Sequence, residues 1–184
     1  MPVSSVETLM ARVYIGGIGG SGKTRVTRLL AERIEGVSTL TGSEIMMRAA
    51  GVSSREELRQ LPEEQKERLR ISVIPALYKS HDQLLAEGHY YLTREEIDCF
   101  DAFLLVEAPV ERIVEFRRSD VTRVRSLEPE AVLRERQEMT ERIKLLETRH
   151  GLQVVKIENG GTLDDLAEKV RSVYECSIRK EVGR

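Results

Sequence analysis

The residues Gly17-Ile18-Gly19-Gly20-Ser21-Gly22-Lys23-Thr24 fit the spacing G-x-x-x-x-G-K-[ST], and their types point to one chemistry. Glycines accept positive φ and turn backbone N–H groups into a shared concavity that suits phosphate oxygens. A helix beginning at the end of such a loop adds its positive pole. Lys23 would then reach the β- and γ-phosphates of a nucleoside triphosphate, and the Thr24 hydroxyl would sit on Mg²⁺. Gly17, Gly19, Gly20, Ser21, Gly22, Lys23 and Thr24 are therefore the candidate nucleotide-binding residues, with ATP and Mg²⁺ the expected ligands and Thr24 the expected metal contact.

Such a loop needs a strand before it and a helix after it. Ala11 to Gly16 is a short run of strand type, and Arg25 to Ile34 carries apolar residues at helical spacing. A chance Gly-rich turn ending in Lys-Thr would not explain both flanks, so the run reads as a P-loop.

Composition limits the alternatives. The chain has 184 residues, 40% hydrophobic and 33% charged, as expected of one well-charged globular domain spanning 1–184. No apolar run is long enough for a membrane helix. Met1 to Met10 lacks a basic start and a signal-like apolar stretch and reads as an uncleaved leader to the first strand. The formal net charge of −2 gives no whole-protein attraction to nucleic acid. Cys99 and Cys176 have no C-x-x-C spacing, which argues against zinc, and two thiols beside a P-loop suggest the cytoplasm. His81, His89 and His150 form no motif.

Further along, Gly36 to Thr41 reads as a second strand, Thr41-Gly42-Ser43 as a cap, and Glu44 to Ala50 as a short helix. Ser53 followed by Glu56 has capping-box spacing. Gln65 to Glu87 carries a helical period, with Leu69, Val73, Leu77 and Leu84 inward and a kink expected at Pro75. His89 to Thr93 is the expected third strand, Asp101 to Glu107 the fourth and Leu152 to Ile157 the fifth. Helices are expected over Val110–Arg118, from Glu128 to about Arg149, and from Leu163 to about Ile178. Strands alternating with helices behind a P-loop predict a three-layer α/β/α P-loop NTPase fold with a five-stranded parallel sheet.

In this arrangement the chain resembles a nucleoside monophosphate kinase of the P-loop superfamily, most closely the short archaeal-type adenylate kinases. The resemblance runs from about Arg12 to Val173. It rests on the P-loop, on Thr41-Gly42-Ser43-Glu44-Ile45-Met46-Met47-Arg48-Ala49-Ala50, on Leu58 to Leu61 with Gln65 to Arg68, and on Arg117-Arg118-Ser119-Asp120-Val121-Thr122-Arg123-Val124-Arg125. It implies a P-loop core over 11–40, an acceptor-binding helical insertion over 41–88 and a short Arg-rich lid over 117–128.

The implied reaction is ATP + AMP giving 2 ADP. Lys23, Arg117, Arg123 and Arg125 would be catalytic, while Thr41, Arg48, Arg59 and Arg94 would address the acceptor. Guanidinium groups suit that work because they bind phosphate oxygens bidentately, and phosphoryl transfer depends on positioning and charge neutralisation. The implied partners are small-molecule nucleotides, and archaeal-type relatives allow a homo-oligomer. Membrane and nucleic-acid partners are not expected.

One departure stands out. The family ends its third strand with an Asp that orders Mg²⁺, but the expected third strand here reads Tyr91-Leu92-Thr93, with Leu92 in that place. Glu95 or Glu96 is the expected substitute. Two other readings stay open: a P-loop kinase with another acceptor, such as CMP or a non-nucleotide, and an ATP-hydrolysing switch or assembly factor.

Overall fold

The computed structural model describes residues 11–120 and 125–182. Its centre is a parallel sheet of β1 (Ala11–Gly16), β2 (Ser38–Thr41), β3 (Gln83–Gly88), β4 (Ala102–Glu107) and β5 (Val154–Glu158), in the order β2-β3-β1-β4-β5. Every pairing is parallel. The five-stranded parallel sheet expected from the sequence is therefore present.

Period-two alternation explains the layering. Val13 and Ile15 of β1 face one side with Leu85, Leu104 and Val106, where Val26 and Leu30 of α1 (Lys23–Arg33) and Leu166 and Val170 of α8 (Leu163–Val182) cover them. Tyr14 faces the other side with Leu84, Ala86, Phe103 and Leu105. There the cover comes from α2 (Gly42–Ala50), α4 (Glu63–Lys79), α5 (Arg94–Ile97), α6 (Val110–Ser119) and α7 (Pro129–His150). The short α3 (Arg55–Gln60) joins α2 to α4 and buries no residue.

The third strand corrects the sequence reading. It is Gln83–Gly88, not His89–Thr93. Leu84, Leu85, Ala86 and Glu87 are good helix formers and extended the period of α4 on paper. In the fold, α4 stops at Lys79, and the next apolar run pairs with β1 from Ala11↔Gln83 to Gly16↔Gly88. Sheet pairing and burial on both faces outweigh intrinsic propensity here. The stretch 41–88 is thus helical only to Lys79, and its last six residues are a core strand.

Smaller differences have local causes. Helix α4 runs through Pro75 and turns Ile74, Pro75 and Tyr78 inward while Val73 stays 37% exposed. The cap of α3 is Ser54 with Glu57, one residue beyond the predicted pair. A second S-x-x-E register begins there, and the chain uses it. The segment read as the third strand contains Thr93, which caps α5 through a capping box with Glu96. Among the described residues no helix is long and apolar enough to cross a membrane.

Candidate functional site

β1 ends at Gly16 against Tyr90: a Cβ at Gly16 would lie 1.9 Å from the Tyr90 ring. Tyr90 itself is fully buried at φ 55° and donates its hydroxyl to the Leu104 carbonyl at 2.7 Å. The chain then turns through the P-loop, with Gly20 at φ 95° and Gly22 at φ 99°. Gly22 is also the N-cap of α1, so the first N–H groups of that helix open onto the loop. No acidic residue occupies the first turn of α1.

Lys23 is 8% exposed, and its Nζ donates to the Ile18 carbonyl at 3.3 Å. The ammonium therefore lies over its own loop, where a bound phosphate would sit. The Thr24 hydroxyl is 2.9 Å from both carboxylate oxygens of Glu87, the penultimate residue of β3. Glu87 is 5% exposed. The carboxylate bonded to the Thr24 hydroxyl is thus Glu87, on the strand beside β1, a residue other than the expected Glu95 or Glu96. A hydroxyl and a carboxylate are hard oxygen donors of the kind Mg²⁺ takes, and this pair fits the ion beside a phosphate-binding loop.

Two side chains from other elements hold the loop. Arg117 of α6, 4% exposed, donates Nε to the Gly19 carbonyl at 2.9 Å. Its terminal nitrogens bond the Ser126 carbonyl at 3.0 Å and the Glu135 carboxylate at 3.0 and 2.5 Å. From the end of β5, Asn159 donates Nδ2 to the Ser21 carbonyl at 2.8 Å and its backbone N–H to the Glu107 carbonyl at 2.6 Å. A Cβ at Gly22 would meet that Nδ2 at 2.5 Å, so glycine permits the approach.

Arg125 lies over the loop. A Cβ at Gly19 would fall 2.6 to 2.8 Å from its guanidinium, which also pairs with Asp120 at 3.8 Å. Arg123 and Thr122 lie outside the described residues.

Between the P-loop and helices α2 to α4 opens a cleft of about 760 Å³. Lys23, Thr24, Glu87 and Arg125 line it from the P-loop side, and Thr41, Arg55, Arg59 and Arg70 line it from the helical side. Tyr14, Ile74, Tyr78 and Glu96 complete the inner wall. Burial pushes the Tyr14 and Tyr78 hydroxyls far above the ordinary phenol range, so both stay neutral. Burial also raises the Glu96 carboxyl to about 7, against opposing hydrogen bonds from Thr93 and the charge of Arg70.

The predicted acceptor residues separate in the structure. Thr41 lines the cleft and caps α2, its hydroxyl accepting from the Glu44 N–H at 3.2 Å. Arg59 lines it too, beside Glu56 at 3.2 Å. Arg48 is exposed on the last turn of α2, and Arg94 pairs with Asp98 at 3.0 Å; neither lines the cleft. Arg117 is buried behind the P-loop and also does not line it.

The sequence reading missed Glu87, Asn159, Arg55 and Arg70, and it singled out Glu96 only as a metal-side carboxylate, whereas that residue lines the inner wall of the cleft. Glu87 carries a usable signal, an apolar run that ends in a carboxylate before glycine. Asn159 likewise stands directly beyond a strand.

A family model described as an AAA domain matches residues 16–134, from the last residue of β1 through the P-loop and the whole helical side into α7. The chain belongs to this AAA domain family. Its fold is that of P-loop kinases. Shikimate kinase from Acinetobacter baumannii, solved in complex with shikimate, superposes with a TM-score of 0.59 at 24% identity, covering 94% of this chain and 96% of that one. Thymidylate kinase from Candida albicans gives 0.57 at 10% identity, with coverage of 91% and 92%. At these identities the likeness is one of fold. No curated protein matches the sequence significantly.

Proposed function

We propose that this AAA domain transfers the γ-phosphoryl group of ATP to a nucleoside monophosphate, with AMP as the first acceptor. The observation that carries the reading is the two-sided cleft, with a P-loop on one side and Thr41, Arg55, Arg59 and Arg70 on the other. A device that only bound and hydrolysed ATP would need no second cationic wall. The Arg-rich stretch and the fold shared with phosphate-transferring enzymes support the same reading.

In this mechanism the loop amides and Lys23 hold the β- and γ-phosphates. Thr24, with Glu87 beside it, would hold Mg²⁺, which supplies charge neutralisation between the phosphates. Arg125 reaches the transferring group from above, and Arg123 is assigned to the same lid. Arg117 acts by fixing the loop through the Gly19 carbonyl. Thr41, Arg55, Arg59 and Arg70 orient the acceptor phosphate in line. Its oxygen is already ionised, so no general base is required. Closure of the arginines over the cleft would exclude water and favour transfer over hydrolysis. Arg48 and Arg94, which stand off the cleft, receive no role. The whole chain acts as one unit in this scheme, and the cytoplasm is its proposed compartment.

A second reading is transfer to a small hydroxylated acceptor, favoured by the likeness to shikimate kinase. Incubation with Mg-ATP and each of AMP, CMP, GMP and UMP, followed by chromatography, separates the two. ADP formed from AMP at about two per ATP consumed, and lost by 100-fold or more in Lys23→Ala, is the expected result. Phosphate release indifferent to every monophosphate would overturn it.

A further inference from the structure

Resting on the reading of the α2 to α4 side as an acceptor site, we infer that the Glu96 carboxyl reads the ring edge of the acceptor. It selects bases that present an exocyclic amine beside a bare ring nitrogen, as adenine and cytosine do. Glu96 is 4% exposed yet lines the cleft. Its position is fixed by a reciprocal cap: Thr93 N–H donates to Oε2 at 2.9 Å, and Glu96 N–H donates to the Thr93 hydroxyl at 3.3 Å. Among the described residues Oε1 has no hydrogen-bonding partner, and Oε2 keeps a second lone pair. Tyr14, Ile74, Tyr78 and Leu92 line the same cleft and give a planar ring an apolar wall.

A ring entering such a site must satisfy this carboxyl, because a buried polar group left unpaired is costly. A neutral carboxyl offers a donor and an acceptor side by side. Adenine N1 with its 6-amino group, or cytosine N3 with its 4-amino group, complements that pair. Guanine presents two donors at the corresponding edge and suits an ionised carboxylate instead. The groups facing Glu96 are Arg70 and Tyr78 from α4, Tyr14 from β1, and Glu95 and Cys99 from its own segment. Burial outweighs the attraction of Arg70 and raises the carboxyl to about 7, so the neutral form is accessible near neutral pH.

The test is calorimetric binding at pH 6.5 with the triphosphate site saturated by a non-hydrolysable Mg-ATP analogue. The probes are AMP and purine riboside 5′-monophosphate, which differ only by the 6-amino group. Wild-type protein is expected to favour AMP by about tenfold, the value of one net hydrogen bond. Glu96→Gln, whose amide offers the same donor and acceptor and can keep the cap, retains the preference. Glu96→Ala brings the ratio toward one.

An unchanged ratio in a folded Glu96→Ala, or a lost preference in Glu96→Gln, overturns the inference. So does tighter wild-type binding of GMP than of AMP. Either result with AMP-dependent ADP formation intact leaves the transfer reading standing. Absence of any monophosphate binding removes both.

Discussion

On the P-loop side of the cleft, backbone conformation and buried partners fix the working atoms. Gly20 and Gly22 set the turn, while Arg117 and Asn159 hold the Gly19 and Ser21 carbonyls from neighbouring elements. On the helical side, the guanidiniums of Arg55 and Arg59 stand in solvent on a helix that buries nothing, bonded among the described residues only to Ser43 and Glu56. One wall is built before any ligand arrives, whereas in the proposed reaction the other would acquire its geometry as an anionic acceptor draws its arginines together. A preorganised loop suits the transferring phosphates, whose charge must be met without reorganisation. A looser wall suits an acceptor that must enter and leave.

The comparison can be sharpened first at Glu96, the buried carboxyl of the inner wall. Its folded value of about 7 lies above its ordinary 4.5. Between those values the folded state binds more protons than the unfolded one, so stability falls as pH rises through this window and is level above it. The change is about 3 kcal/mol at most. Urea melts at pH 5 and pH 8 should show it, and Glu96→Gln should remove that slope.

Next comes the P-loop wall. Arg117→Ala leaves the Gly19 and Ser126 carbonyls without their donor and should cost about 2 kcal/mol, read as a lower urea midpoint. Lys at the same position should recover little, since one ammonium cannot reproduce the forked contact with Glu135. A melt unchanged by Arg117→Ala would mean that the loop holds itself.

The helical wall should respond more weakly and in a different quantity. Arg59→Ala should raise KM for the acceptor by about tenfold with little change in KM for ATP or in the melt. Arg48→Ala, off the cleft, should stay within about 0.5 kcal/mol in stability and leave the acceptor KM unchanged. Equal effects at the two positions would erase the distinction drawn between them.

The same asymmetry explains what could be read from sequence. The P-loop acts through backbone turns and one terminal lysine, so residue type and spacing suffice to find it. Arg48 and Arg59 look alike on a helical wheel, and only the packing of α2 and α3 decides which one reaches the cleft. Glu87 was hidden because Leu84-Leu85-Ala86-Glu87 continues the helical period of α4, and nothing local reveals that β1 will pair with it. Asn159 stands before Gly160-Gly161, where it reads locally as a turn residue, while its work is on a carbonyl of residue 21, across the sheet. Contacts made over such distances leave no periodic trace. The sheet itself was legible because β4 and β5 are apolar runs bounded by clear stops, and the P-loop fixed where β1 must end.

The most direct measurement is ATP consumption by the wild-type protein as AMP is titrated in the presence of Mg²⁺. If both walls serve one reaction, consumption rises with AMP to saturation and yields two ADP per ATP. Consumption that stays flat across the titration, with free phosphate as the product, would contradict the account.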